Sequence, residues 1–303
     1  LQWIGARNKY FLTAIIPSER ERRLKARLNG DRTGPNMLPN YEFEIGRQLS
    51  SAGSWKSTVY IGPLDYDTLI QYGVGLEQAI DFGWPIIRSV TKFLLIAFKE
   101  AHHYIPNYGW IIVIFVIIMK LVFYPLQRKQ YESMGKMQQI QPRLSALREK
   151  YKNDQARIAK ETQKIFKEVG ANPLSGCLVM LPQMPIFFAL YNLLSSSIDL
   201  RQAPFALWIT DLSMPDEVMI GGFGLHVLPI LVGLSMFVQM KQTMKDPKQA
   251  FLPYLMSVFM TFFFYGMSSG LNLYWMVFNI LTIVQQQILK KPGLGADTVN
   301  APH

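Results

Sequence analysis

Acidic side chains are missing from every long apolar run of this chain. Charged residues of either sign make up only 17% of its 303 positions, against about a quarter in ordinary soluble domains. Without Asp or Glu in those runs, the usual carboxylates of proton-coupled carriers and intramembrane aspartyl proteases are excluded. Cysteine is nearly absent as well. Cys177 stands alone, so there is no disulfide framework, and the four histidines offer no zinc spacing. The first residues, from Leu1, lack the basic and apolar regions of a signal peptide, and the expectation is that an earlier signal or anchor helix precedes them.

Half of the residues are apolar, and they are concentrated. A hydrocarbon core ~30 Å thick needs about 20 mostly apolar residues in helical form. Five stretches meet that length: residues 108–126, 174–197, 223–240, 250–267 and 271–289. The last two are joined only by Ser268, Ser269 and Gly270, so they form a tight helical pair. The expected fold class is therefore an α-helical integral membrane protein with a five-span core, covering residues 107–291. Residues 292–303 form a short tail.

Lys and Arg in the connections set the orientation. Residues 127–171 carry 11 Lys and Arg against five Asp and Glu. The connection 241–249 has three Lys and one Asp, and the tail has Lys290 and Lys291 against Asp297. The connection 198–222 is the reverse, with Arg201 against Asp199, Asp211, Asp216 and Glu217. Alternation puts the first three on the cytoplasmic side and residues 1–106 outside. Long domains cross largely regardless of charge, so the 13 Lys and Arg of residues 1–106 do not reverse the assignment.

Outside the bilayer three units are expected. Residues 1–84 read as the end of a β-rich domain, with β-branched and aromatic runs at 9–16 and 57–61; the Arg-rich stretch Arg20 to Arg27 reads as a solvated turn or edge. Residues 85–106 form an amphipathic helix. Ile86, Ile87, Val90, Phe93, Leu94, Ala97, Phe98 and Ala101 recur at helical spacing, and Arg88, Lys92, Lys99 and Glu100 lie opposite. Such a helix either lies in the outer membrane interface or packs on the β domain. Residues 127–171 form a cytoplasmic helical hairpin. Met134, Met137, Gln141, Leu144, Leu147 and Tyr151 face Ile158, Ile165 and Val169 in an antiparallel coiled coil, which Pro142 is expected to kink or restart. The net charge of +6 on its outer faces suits ribosomal RNA or anionic headgroups, and positive-inside bias alone explains it equally well.

Lys120 is the one charge inside the body of a span, and an intramembrane ionisable residue is a functional candidate by default. Snorkelling is the competing explanation, since the expected span ends six residues later, ~9 Å at 1.5 Å per residue. The other spans carry polar stripes at a shared depth. They include Gln183 between Pro182 and Pro185; Ser235, Gln239 and Gln242; Ser257 and Thr261; then Asn272, Trp275, Asn279, Thr282 and Gln286. Polar residues of this kind also glue helices together. Their shared cytoplasmic depth points further, to a wet groove closed on the outside. Gly266-Met267-Ser268-Ser269-Gly270 fits a nucleophile pattern but lies between two helices, the wrong context. No catalytic set can be assembled, so the chain is read as a non-enzyme.

The most specific runs are Tyr124-Pro125-Leu126, Asn172-Pro173-Leu174, Gln183-Met184-Pro185-Ile186-Phe187, Leu200-Arg201-Gln202-Ala203-Pro204-Phe205 with Trp208, Ser269-Gly270-Leu271 and Gln285-Gln286-Gln287. On these the chain resembles the YidC/Oxa/Alb family of membrane protein insertases, in its Gram-negative form. The resemblance implies that residues 1–84 are the end of a periplasmic β-sandwich. It implies a chaperone-like insertase of the bacterial inner membrane that slides nascent membrane proteins through a hydrophilic groove open to cytoplasm and lipid. Partners would be nascent clients, the Sec translocon, the lipid bilayer and, weakly through the cytoplasmic loops, the ribosome; there would be no DNA and no cofactor. The resemblance maps groove positions onto Lys120, Gln183, Tyr274 and Trp275, and the polar stripes add Gln239, Ser257, Thr261, Asn279 and Thr282. The family's usual Arg is Lys120 here, which keeps the charge without the planar fork, and a Thr found one turn earlier in some members is Val116. A small-solute channel or transporter is the alternative, and it needs polar lining through both halves of the membrane.

The topology is directly testable. Cysteines at Asn279 and Gln239 should react with a water-soluble maleimide added from the cytoplasmic side of oriented vesicles. Labelling only from the outside would reverse the orientation.

Overall fold

The structure is a computed structural model that describes residues 2–18, 24–31, 40–47, 56–152, 154–170, 180–243 and 247–290. The expected β domain is present. Strands β1 (Ile4–Arg7), β2 (Phe11–Pro17) and β5 (Ser57–Pro63) form an antiparallel sheet in the order β1-β2-β5. Strands β3 (Leu24–Asp31) and β4 (Asn40–Arg47) pair separately. The alternation of β2 sends Leu12, Ala14 and Ile16 inward, as a two-residue period requires. Part of the Arg-rich stretch, residues 20–23, lies outside the described residues, and Lys25 and Arg27 are exposed on β3.

Below the sheet, α1 (Tyr66–Ile70) is capped by Asp65, which accepts from the Thr68 amide at 2.9 Å. Then comes α2 (Pro85–Tyr104), which starts where expected and ends two residues before the expected 106. Its inner face of Thr91, Leu94, Leu95 and Phe98 is buried. Trp84, Ile86, Phe93, Ile96 and Tyr104 are exposed. The chain turns by 119° between α2 and α3 (Tyr108–Val122). Pro106 cannot continue a helix, and Asn107 starts the next by accepting from the amides of Gly109 and Trp110.

The helices that follow are α4 (Tyr124–Lys150), α5 (Gln155–Val169), α6 (Met180–Ser196), α7 (Val227–Thr243), α8 (Pro247–Tyr265) and α9 (Ser269–Lys290). α9 is the central member and packs against α3, α6 and α7, while α8 packs on α7 and α2 on α6. No single described helix is long and apolar enough to cross a membrane; α2 and α3 reach that level only as a bent pair. α3, α6 and α7 are 15, 17 and 17 residues long, short of the about 20 that a full crossing takes.

Several expected bounds need correction. The run 108–126 is broken at Phe123, because Pro125 must sit in the first turn of a new helix. Lys120 is therefore two residues from the end of its helix, not six. Residues 223–225 are not helical. They form β7 (Phe223–Leu225), paired with β6 (Val218–Ile220) across Gly221 and Gly222. Both glycines have positive φ, 58° and 89°, as a tight two-residue hairpin demands. α4 runs through Pro142 without a restart. The α4–α5 contact is narrower than a coiled coil along the whole hairpin. Ile140 and Leu144 are buried against Met137, Ile165, Phe166 and Val169; Ile140 takes the place expected of Gln141, and Phe166 was missing from the expected stripe.

One ammonium joins the β domain to the bundle. Lys99 on α2 lies 2.6 Å from Asp65, 2.7 Å from Asp67 and 3.5 Å from Asp199. Asp199 follows α6 in a single 3-10 turn, Ile198–Leu200. Burial works against both charges. The Asp65 and Asp67 hydrogen bonds outweigh it and hold Lys99 well above its ordinary 10.5, and the Lys99 and Thr68 bonds hold Asp65 below its ordinary 3.8. The Asp65 contribution is therefore complete above 3.8 and fades as pH falls through its lower folded value. The Lys99 contribution is complete below 10.5 and fades as pH rises through its higher folded value. Lys99→Met leaves partly buried carboxylates facing one another and should cost about 2 kcal/mol, read as earlier protease cleavage between the β domain and α2 at neutral pH. The variant and parent should converge in strong acid; an unchanged cleavage profile would remove the junction from the stability of the fold.

Candidate functional site

Lys120 stands in the last turn of α3 and is 8% exposed. Its ammonium donates to Thr282 Oγ1 at 2.6 Å and to Gln127 Oε1 at 3.4 Å. It also sits 3.9 Å from the centre of the Phe278 ring, close range for a cation–π contact. Every one of these partners is neutral. Among the described residues no carboxylate forms an ion pair with it.

The ammonium faces a cavity of about 320 Å³. Helix ends build it. α3 and α4 meet there at Phe123; α6 brings the start of its described segment, α7 its C-terminal half and α9 its middle, from Trp275 to Gln286. Six of the nine expected residues line it: Lys120, Gln183, Gln239, Trp275, Asn279 and Thr282. Asn279 donates to Ser235 Oγ at 3.0 Å, and Thr282 donates back to the Phe278 carbonyl at 2.6 Å. Trp275 Nε1 is buried with no acceptor among the described residues.

Three expected residues stand elsewhere. Tyr274 is 1% exposed and buried in the helix core, with its hydroxyl hydrogen-bonded to the Gln183 amide nitrogen; it orients Gln183 rather than lining the cavity. Ser257 and Thr261 belong to the α7–α8 contact. Thr261 bonds the Ser257 carbonyl at 3.0 Å, and its hydroxyl occupies the space a side chain at Gly233 would need. Small residues of this kind let two helices approach closely.

The cavity also has a wall that residue patterns did not reveal. Gln127, Gln130, Tyr131 and Met134, all from the start of α4, close one side. All four fall in the stretch expected to form the cytoplasmic hairpin, where the spacing of Met134 points to the α5 stripe instead. Tyr131 reaches Gln286 on α9; burial pushes the Tyr131 hydroxyl above its ordinary 10.0 and the Gln286 bond partly offsets this. Pro125 was the available signal, since a helix starting there must carry its first two turns past the end of α3.

Buried polar groups occur at both ends of the bundle, with Ser269, Asn272 and Asp216 far from the cavity, but this cavity lies at one end. At the other, Ile111, Ile112, Leu190, Leu193, Leu194, Leu212 and Leu271 are buried together. The Ser269 hydroxyl and amide both bond the Met214 carbonyl, which fastens the α6–α7 connection across that end. This accounts for the Gly-x-Ser-x-Gly stretch as a helix–loop junction.

Known proteins match both parts of the chain. A family model described as 60Kd inner membrane protein matches residues 100–294, and one described as YidC periplasmic domain matches residues 1–97. The chain is 42% identical over 300 residues to a protein named membrane protein insertase YidC from Pelobacter propionicus, covering 96% of this chain and 54% of that one. A protein of the same name from Syntrophus aciditrophicus is 40% identical, with 96% and 52% covered. The chain thus spans about half the length of the curated relatives it matches. A crystal structure titled as an active YidC insertase with the first transmembrane domain resolved shares the fold, with a TM-score of 0.58 at 23% identity, over 94% of this chain and 63% of that one. With its mainly helical core preceded by a periplasmic domain, the chain belongs to the 60Kd inner membrane protein family.

Proposed function

We propose that this protein inserts and folds nascent membrane proteins in the bacterial inner membrane, using the cavity around Lys120 as a client groove. The observation that carries the reading is a buried ammonium whose partners among the described residues are all neutral, facing a cavity at one end of the bundle. Taking an ion of that size out of water costs roughly several kcal/mol, and Thr282, Gln127 and the Phe278 ring compensate in part. An acidic side chain arriving in the groove supplies the missing counter-charge. The attraction must stay transient, because a tight pair would trap the client.

In this reading α3, α6, α7, α8 and α9 are the five spans, with α4–α5 and the tail cytoplasmic and the β domain periplasmic. Helices of 15 to 22 residues are ~22–33 Å long, so the shorter ones need a locally thinner bilayer or flanking residues to match it. The basic α4–α5 hairpin receives clients and contacts the ribosome weakly, and the Sec translocon is a second partner. The sealed apolar end argues against a small-solute channel, which requires polar lining throughout.

Two tests follow from the groove. Lys120→Arg should insert single-span clients nearly as well as the parent, whereas Lys120→Ala should fail for clients with Asp or Glu in the translocated segment. The defect should shrink when those acids become Asn or Gln, measured by protease accessibility of a reporter in vesicles. Equal loss for both clients would mean that Lys120 is structural. Deleting residues 127–169 should impair insertion while the five helices remain protease-resistant. A deletion that unfolds them would make the hairpin part of the fold.

A further inference from the structure

The outer connection between α6 and α7 carries an apolar surface for which groove insertion has no use. Its base is rigid. Asp216 is 4% exposed and accepts from Trp208 Nε1 at 3.0 Å and from the amides of Val227 and Leu228 at 2.9 Å each. It thereby caps α7 and pins the loop to it, and His226 Nδ1 contacts the Asp216 carbonyl. From this base β6 and β7 project as an isolated two-stranded hairpin.

Residues 218–225 contain no charge. Ile220 pairs with Phe223 beside the turn, and Met219 with Gly224. Phe223 is 81% exposed, Met219 66% and Ile220 58%. In the same pinned loop Leu207 is 90% exposed and has a φ of 57°, a conformation that is rare and costly for a branched residue. A lone two-stranded hairpin is marginal in water, and water is a poor surrounding for large apolar groups at its tip. The nearest charge, Glu217, lies against Gly224 at the base of the hairpin, away from the Ile220–Phe223 tip.

We propose that the β6–β7 hairpin is an interfacial anchor that immerses Ile220, Phe223 and Met219 in the outer leaflet of the bilayer. The inference rests on the reading of α7 as a span. α7 begins one residue after β7 and continues the apolar surface through Ile230, Leu234 and Phe237, all exposed. The depth is limited by the backbone. Both outer strand edges of the hairpin carry N–H and C=O groups that hydrocarbon cannot satisfy, so the tip reaches the boundary between headgroups and acyl chains and stops. α2, with Trp84, Ile86 and Phe93 exposed, lies against α6 at the other end of that helix's outer connection and supplies a second interfacial contact.

The test uses the whole protein in vesicles of neutral phospholipid, with Cys177→Ser and single cysteines carrying an environment-sensitive fluorophore. The positions are Phe223 and Met219 on the hairpin, Leu234 on α7, and Glu42 on exposed β4 as the aqueous reference. Phe223 and Met219 should show blue-shifted emission, strong quenching by nitroxides placed shallowly on the lipid chains, and a several-fold loss of iodide quenching relative to Glu42. Iodide quenching at Phe223 equal to that at Glu42, with Leu234 quenched by lipid nitroxides, would overturn the anchor and leave the span intact. Failure of lipid quenching at Leu234 would instead overturn the topology beneath it. Shielding at Phe223 that ignores lipid nitroxides and vanishes when the protein is diluted in the bilayer would assign the hairpin to a second copy of the chain, and would also overturn the proposal.

Discussion

A buried positive charge with no negative partner has to be held by dipoles, and the arrangement of the bundle follows from that constraint. Lys120 is satisfied by a hydroxyl, an amide oxygen and the face of a ring, drawn from α9 and α4. α9 can supply two of the three only because it runs through the middle, where Phe278 and Thr282 sit one turn apart. The same centrality obliges α9 to bury Asn272, Asn279 and Gln286. Buried amides are expensive unless bonded, and two of them fix a neighbour: Asn279 holds Ser235 of α7, and Asn272 caps the end of α8 through the carbonyls of Phe264 and Met267. The polar cavity and the helix order are two results of one requirement.

The two ends of the bundle divide the work differently. At the wet end, side chains meet across a space and their bonds are few. At the dry end, apolar residues and backbone bonds close the structure, with the outer loop fastened at Leu212 and Met214. The Lys99 junction lies beyond that closed end and belongs to neither. Its two outermost partners are separated from it by 34 and 100 positions in the chain, and charges so distant in sequence leave no pattern from which a pairing could be inferred.

Much of the fold was readable in advance because hydropathy and spacing report burial directly. The alternation in β2 and the start of α2 are examples. So is the polar stripe of α9, where steps of three and four place Asn279 and Thr282 on one face. Hydropathy alone misled where an apolar run changed structure partway. Phe223, Gly224 and Leu225 look like the start of α7, and only the paired glycines before them carry the turn signal. The site was legible on α3, α6, α7 and α9 but not on α4, since Gln127 and Tyr131 come after the apolar run and resemble solvated hairpin residues. Thr261 and Ser257 had the right periodicity for the groove, but a glycine opposite drew them into a helix contact.

The single-residue break at Phe123 has a mechanical meaning. α4 is one helix of 27 residues, ~40 Å long at 1.5 Å per residue. Gln127 stands within about 6 Å of the break on the same measure. The helix is thus a lever with a short arm at the cavity and a long arm beyond the bundle, in a ratio of roughly one to seven. A swing of ~10 Å at the far end moves Gln127 by only ~1.5 Å. That is enough to lose its 3.4 Å contact with the ammonium and too little to open the bundle.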